Sequence, residues 1–259
     1  MRSASPAGGL GPTATRQLPS PARFSLVAAA ARARHSGGMN RPRILVTGFS
    51  VFPGAPVNPT ERLVAALRAD PSLLAAMPDL GQADIRVELL PVEYSAIPQL
   101  LETFGREFAP DIAVHFGLSA GATGFTLERL ARNGTAAGRV DNSGALPAAA
   151  CIVEGAGDHA STLPLETIHA ALSARGLPAA WSDDAGGYLC NYVFYLSRSG
   201  AFPAFAPALS GFVHVPPLRE TEPGNPNALP LADLVAGAAL IVSECARAWR
   251  GRPSAAASV

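Results

Sequence analysis

From Arg41 onward, short apolar runs of strand length alternate with longer stretches of helical period. That alternation restricts the chain to an α/β layered structure with a largely parallel sheet. The pattern predicts strands over 44–47, 85–90, 112–116, 125–130, 179–182 and 211–215, with helices over 59–68, 95–108, 163–175, 191–199 and 231–249. Pro59 and Pro164 fall in the first turns of their helices, where a missing N–H costs nothing, and Gly176 suits a helix stop. No internal repeat is present, and 207–230 reads as connecting loop rather than as a linker between domains.

The first forty residues do not share this periodicity. They hold five arginines, no Asp or Glu, and abundant Ser, Pro, Gly and Ala, a composition that reads as a disordered extension. Its apolar stretch over 24–31 is shorter than a secretory signal requires, although Arg and Ser enrichment also occurs in transit peptides. Met39, just ahead of the first strand, offers an alternative start. The expected organisation is therefore an extension over 1–40, a single α/β domain over 41–250 and a disordered tail over 251–259.

Composition then removes several classes of function. All twenty basic residues are Arg, so a Walker A lysine, a Schiff-base lysine and a pyridoxal-phosphate anchor are excluded. Twenty acids balance them, and with five arginines confined to 1–40 the remainder carries a net charge of −5, which gives no field to attract nucleic acid or an anionic membrane. Cys151, Cys190 and Cys245 are odd in number and far apart, so neither a disulfide framework nor a CxxC motif is available, and a reducing cytoplasm is the expected compartment. The longest apolar stretch, 234–242, is about half of a membrane span and is flanked by Asp233 and Glu244. A soluble protein with small neutral partners is expected.

In open α/β sheets, ligands gather beyond the carboxyl ends of strands, which directs attention to the loops over 48–58, 117–124, 183–191 and 214–220. The glycines Gly117, Gly121 and Gly124 lack GxGxxG spacing, and a strand follows them, so they do not form a dinucleotide loop. Cys190 stands where a Gly186-Gly187 loop meets a helix start. The helix dipole there favours a thiolate, and free amides could hold an oxyanion; the bland alternative is an ordinary buried thiol. His214 ends a strand before Pro216-Pro217, a fitting place for a base, while His115, His159 and His169 read as structural. No histidine pair has metal-ligand spacing, so no metal or cofactor is expected. Glu128 lies among apolar residues; buried, it needs either an imidazolium or one of Arg129, Arg132 and Arg139.

Six segments, in order, resemble pyroglutamyl peptidase I, the pyrrolidone-carboxylate peptidases. They are Ile44-Leu45-Val46-Thr47-Gly48-Phe49, the spacing from Phe49 to Asn58-Pro59, Glu128-Arg129 to Asn133, Ser161-Thr162-Leu163-Pro164, Ala185-Gly186 to Cys190-Asn191, and Val213-His214-Val215-Pro216. The resemblance spans Arg43 to Trp249. It implies a three-layer αβα sandwich with a mostly parallel mixed sheet, a Glu128, Cys190, His214 triad, and removal of N-terminal pyroglutamate from peptides through a thioester. It also implies Arg139 as oxyanion support, Phe49, Phe52, Tyr188 and Leu189 as walls around the lactam ring, Asn58 as support for the first loop, and a homo-oligomer, dimer or tetramer.

Two departures from the family pattern stand out. Pro53 replaces a loop glycine, and Leu118 stands where some members carry a glutamine. Two alternatives remain open. One is a degenerate member that binds peptides or proteins without turnover; the other is a nucleoside-phosphorylase-like enzyme, which would need a phosphate site.

Overall fold

The computed structural model describes residues 41–252; the extension over 1–40 and most of the proposed tail lie outside the described residues. Eight strands are present among the described residues. β1 (Arg43–Phe49), β2 (Asp84–Leu90), β3 (Ile112–Leu118), β4 (Phe125–Glu128), β7 (Ala179–Ser182) and β8 (Leu209–Val215) form one six-stranded sheet. Its order is β2-β1-β3-β8-β4-β7. Every pairing is parallel except β4 against β8, so the sheet is mixed at a single seam. The small strands β5 (Leu130–Ala131) and β6 (His159–Ala160) make a separate antiparallel ribbon.

The described residues also form six helices: α1 (Pro59–Ala69), α2 (Ser72–Ala75), α3 (Ala96–Glu107), α4 (Leu165–Ala174), α5 (Leu189–Ser199) and α6 (Leu231–Arg250). Five of them pack on the sheet, and the short α2 packs against α6. The two-residue period of the strands divides the sheet's side chains. Ile44, Val46, Val114, Leu127 and Val213 enter one apolar cluster with α1, α4 and α6. Leu45, Phe49, Ala113 and Phe212 enter a second cluster with α3 and α5. The result is the expected αβα sandwich.

Three local expectations are corrected. The strand predicted over 125–130 breaks after Glu128: the Arg129 carbonyl turns to accept from the Ser161 N–H, and the chain joins the ribbon with β6. Pro164 caps α4 from outside, with ψ at 64°, rather than lying in its first turn. Helix α5 begins two residues earlier than predicted, at Leu189, and so takes Cys190 into its first turn. Pro59 does open α1, where Asn58 caps the helix by accepting from the Thr60 N–H at 3.0 Å.

The Pro53 departure is absorbed by local geometry. Phe52 to Ala55 forms a turn closed by the Ala55 N–H donating to the Phe52 carbonyl at 2.8 Å, with Gly54 at φ 94°. Proline at the second position and a positive-φ glycine at the third are what a type II turn requires.

Candidate active site

The antiparallel seam is what brings Glu128 to His214. In register, Glu128 faces Phe212 and Thr126 faces His214, so Glu128 and His214 are diagonal neighbours on the same face of the sheet. Glu128 Oε1 lies 2.7 Å from His214 Nδ1, with residue exposures of 1% and 7%. The carboxylate therefore pairs with the imidazole, and the arginine alternatives are engaged elsewhere. Arg129 donates through Nε to Asp183 Oδ1 at 2.8 Å, and Arg132 Nε donates to the Asp183 carbonyl at 3.0 Å.

These arginine contacts also tie the strand carrying Glu128 to the loop that leads to Cys190. Gly186 turns this loop at φ 75°, and Gly187 passes so close to Ala136 that an added Cβ would lie 2.4 Å from its amide nitrogen. The chain then enters α5. Tyr188, in an extended conformation, precedes the helix and makes no side-chain cap, so the first amides of α5 keep their donors uncapped beside Cys190. Beneath the thiol, a Cβ on Gly117 would lie 2.9 Å from Cys190 Sγ and 2.6 Å from the Phe212 ring. Only glycine fits there. Asn191, fully buried, fixes the other side: its Oδ1 accepts from the Arg132 N–H, and its Nδ2 donates to the carbonyls of Arg132 and Gly134.

The electrostatics follow from this packing. Burial works against a charged His214 ring, but Cys190, through its charge and a hydrogen bond, and the Glu128 carboxylate together outweigh it and raise the imidazole to about 9. With Nδ1 turned to Glu128, Nε2 is the nitrogen left for the sulfur. An imidazole raised in this way beside a thiol is the arrangement that makes a cysteine nucleophilic. By contrast, burial pushes the Cys245 thiol up, and Cys151 is exposed, remote in sequence from the loop and helix that hold Cys190. His115 is also neutralised by burial, its pKa falling to about 3, and it bonds Thr47 Oγ1 through Nδ1 at 2.8 Å. His169 stacks on Trp181 at 4.8 Å. No group of three metal-binding side chains occurs among the described residues.

The residues expected to line the substrate ring divide into two sets. Phe49 and Leu189 are 2% and 1% exposed and belong to the core cluster under α3 and α5. Phe52 and Tyr188 pack with ring centroids 6.2 Å apart, and the Arg139 guanidinium lies over both, 3.9 Å from the Tyr188 centroid and 5.7 Å from that of Phe52. Asn58 does support the first loop, with Nδ2 donating to the Ser50 carbonyl at 2.9 Å. Leu118 ends β3. Sequence reasoning missed Asn191 and Tyr94. Asn191 carried a signal, a carboxamide inside an apolar helix start, whereas Tyr94 carried none.

Comparisons with known proteins identify the family and the fold. A family model described as pyroglutamyl peptidase matches residues 42–246. The chain belongs to the pyroglutamyl peptidase family. It is 40% identical to the pyrrolidone-carboxylate peptidase of Pyrococcus furiosus over 179 residues, covering 69% of this chain and 82% of that one. It is 35% identical to the pyrrolidone-carboxylate peptidase of Cupriavidus pinatubonensis over 185 residues, covering 71% and 82%. The solved structure of a mutant pyrrolidone carboxyl peptidase from Pyrococcus furiosus superposes with a TM-score of 0.70 at 34% identity, covering 80% of this chain and 99% of that one. As a pyroglutamyl peptidase family member the protein is a cysteine-type peptidase, and the mixed six-stranded sheet is the fold it shares with these structures.

Proposed function

We propose that this peptidase removes N-terminal pyroglutamate from peptides, with Cys190 as nucleophile, His214 as acid and base, and Glu128 as the group that orients and stabilises the imidazolium. The observation that carries the reading is the buried 2.7 Å pair between Glu128 Oε1 and His214 Nδ1, beside a thiol at a helix start. Cys190 Sγ attacks the pyroglutamyl carbonyl, and the oxyanion is met by uncapped amides at the start of α5. His214 gives its Nε2 proton to the departing amine, the C–N bond breaks, and a thioester remains. His214 then takes a proton from water, which attacks the thioester, and the thiolate leaves. Glu128 remains ionised throughout, holding the ring in one tautomer.

Arg139 is assigned a supporting role in this reading. Stacked on Tyr188, it holds positive charge at the mouth of the site, where a developing oxyanion benefits from it. Phe52 and Tyr188 supply aromatic surface for the flat lactam. Residues 41–250 suffice for the activity, so a chain beginning at Met39 is expected to retain it. The three unpaired cysteines suit a reducing compartment, and no helix among the described residues is long and apolar enough to cross a membrane.

The deciding experiment offers the purified protein fluorogenic amides bearing pyroglutamyl, prolyl, alanyl or glutamyl groups, with and without a chelator. Release from the pyroglutamyl amide alone, unaffected by chelator, is expected. Proline is the sharpest control, since its ring is nearly the same but carries a charge whose desolvation the aromatic surface does not offset. Equal cleavage of both would overturn the specificity. No cleavage of any, with Cys190 free and the chain folded, would turn the reading to a binding protein without turnover.

A further inference from the structure

The lactam of a pyroglutamyl group has one N–H and one C=O, and each loses its water when the ring is enclosed. The side chains that the sequence assigns to the ring's surroundings have few polar atoms to replace it. Phe49 and Phe52 have none, nor do Leu118 and Leu189. The Asn58 side chain is occupied by the α1 cap and the Ser50 carbonyl. The Tyr188 hydroxyl donates to the Val140 carbonyl at 2.9 Å.

Tyr94 differs from all of these. It is 7% exposed, and its hydroxyl is buried with no hydrogen-bond partner among the described residues. Its backbone N–H is held by Asp141 Oδ2 at 2.8 Å, and that carboxylate also gathers Ser143 and Ala145. Its ring stands edge-on to Tyr188 at 5.9 Å and to Tyr192 at 5.2 Å, the residues two before and two after the nucleophile. A fixed backbone and two perpendicular aromatic neighbours leave the phenol little rotational freedom.

Resting on the reading above, we propose that Tyr94 is a specificity-determining residue whose hydroxyl donates a hydrogen bond to the lactam carbonyl of the pyroglutamyl ring. Burial, ahead of the smaller influence of Tyr188, raises this phenol to about 12, so it remains a donor throughout the working pH range. A buried donor satisfied only by the correct ring discriminates against rings that lack the acceptor, because they leave it unpaired. A ring without the carbonyl, such as proline, is then rejected twice, for its charge and for its missing acceptor.

The test compares wild type with Tyr94→Phe, using pyroglutamyl amide turnover and competitive inhibition by 2-pyrrolidone, the isolated lactam. The variant is expected to raise the inhibition constant and lower kcat/KM by about ten-fold each, the scale of one hydrogen bond. The rate of Cys190 alkylation by iodoacetamide should not change, and the melting temperature should not fall. An active wild type with unchanged inhibition and kcat/KM in Tyr94→Phe would overturn the proposal. An inactive wild type would instead overturn the reading on which it rests. Should Tyr94→Phe fail to fold, 3-fluorotyrosine at position 94 keeps the shape and strengthens the donor. Tighter 2-pyrrolidone inhibition is then expected, and no change would sink the idea.

Discussion

The two faces of the central sheet are built from the same strands but carry different chemistry. Against α1, α4 and α6 the strands present Ile44, Val46, Val114, Phe116, Leu127 and Val213, an uninterrupted apolar surface. Against α3 and α5 the alternate positions present Thr47, His115, Gly117, Glu128 and His214 among Leu45, Phe49 and Phe212. Neighbouring residues on one strand thus serve opposite purposes: Leu127 seals a core, while Glu128 holds a titrating pair. One face supplies burial that needs no partner. The other buries polar groups, several of them matched while His115 Nε2, Glu128 Oε2 and the Tyr94 hydroxyl have no partner among the described residues, and can do so because the first face stabilises the sheet independently.

This division predicts that substitutions on the two faces separate activity from stability. The largest effect is expected for Cys190→Ala, which should abolish turnover while leaving the melting temperature near that of wild type, since Cys190 is only half-buried. Cys151→Ala and Cys245→Ala should remain active. Turnover surviving in Cys190→Ala would end the thiol mechanism.

Glu128→Gln keeps an acceptor for the His214 Nδ1–H but removes the charge. A fall in turnover on the order of tens to thousands of times is expected, with thiol alkylation slowed rather than lost. His214→Ala should be at least as severe in activity, and less stable by about 3–5 kcal/mol because it strands a buried carboxylate. Wild-type rates in both variants would move the chemistry away from the sheet's polar face.

The titration of His214 gives a smaller but directional effect. Its folded pKa of about 9 lies above the ordinary 6.5, so between these values the folded ring holds a proton that the unfolded ring releases. The associated stability is complete below about 6.5 and is lost as pH rises through about 9. Followed by NMR, the His214 ring should titrate near 9 in the wild type and at lower pH in Cys190→Ala, because Cys190 is the largest influence raising the imidazole. Identical profiles for the two proteins would show that the sulfur and the ring are not coupled.

The smallest effect on chemistry is expected next door. Leu127→Ala should cost about 2–5 kcal/mol of stability through the cavity it leaves, with kcat/KM per folded molecule unchanged. A comparable loss of specific activity would show that the apolar face is not independent of the site.

The sequence by itself determined the layered class and most strand and helix positions, because two- and 3.6-residue periods and local turn chemistry are short-range properties; it offered Glu128, Cys190 and His214 as candidates, which only the family resemblance joined into a triad. It also placed Cys190 near a helix start, since a Gly-Gly loop followed by an apolar run is legible without a fold. It left Glu128 undecided between His214 and three arginines, as 86 residues of chain separate the carboxylate from the imidazole. Only the tertiary structure resolved that choice. The antiparallel seam between β4 and β8 sets the diagonal register, while Asp183 and Asp184 draw Arg129 and Arg132 away from the carboxylate. The same holds for the unpartnered Tyr94 hydroxyl and for the narrow space above Gly117. Neither a missing hydrogen bond nor a clash has a local signature, because both depend on which distant segments the sheet brings into contact.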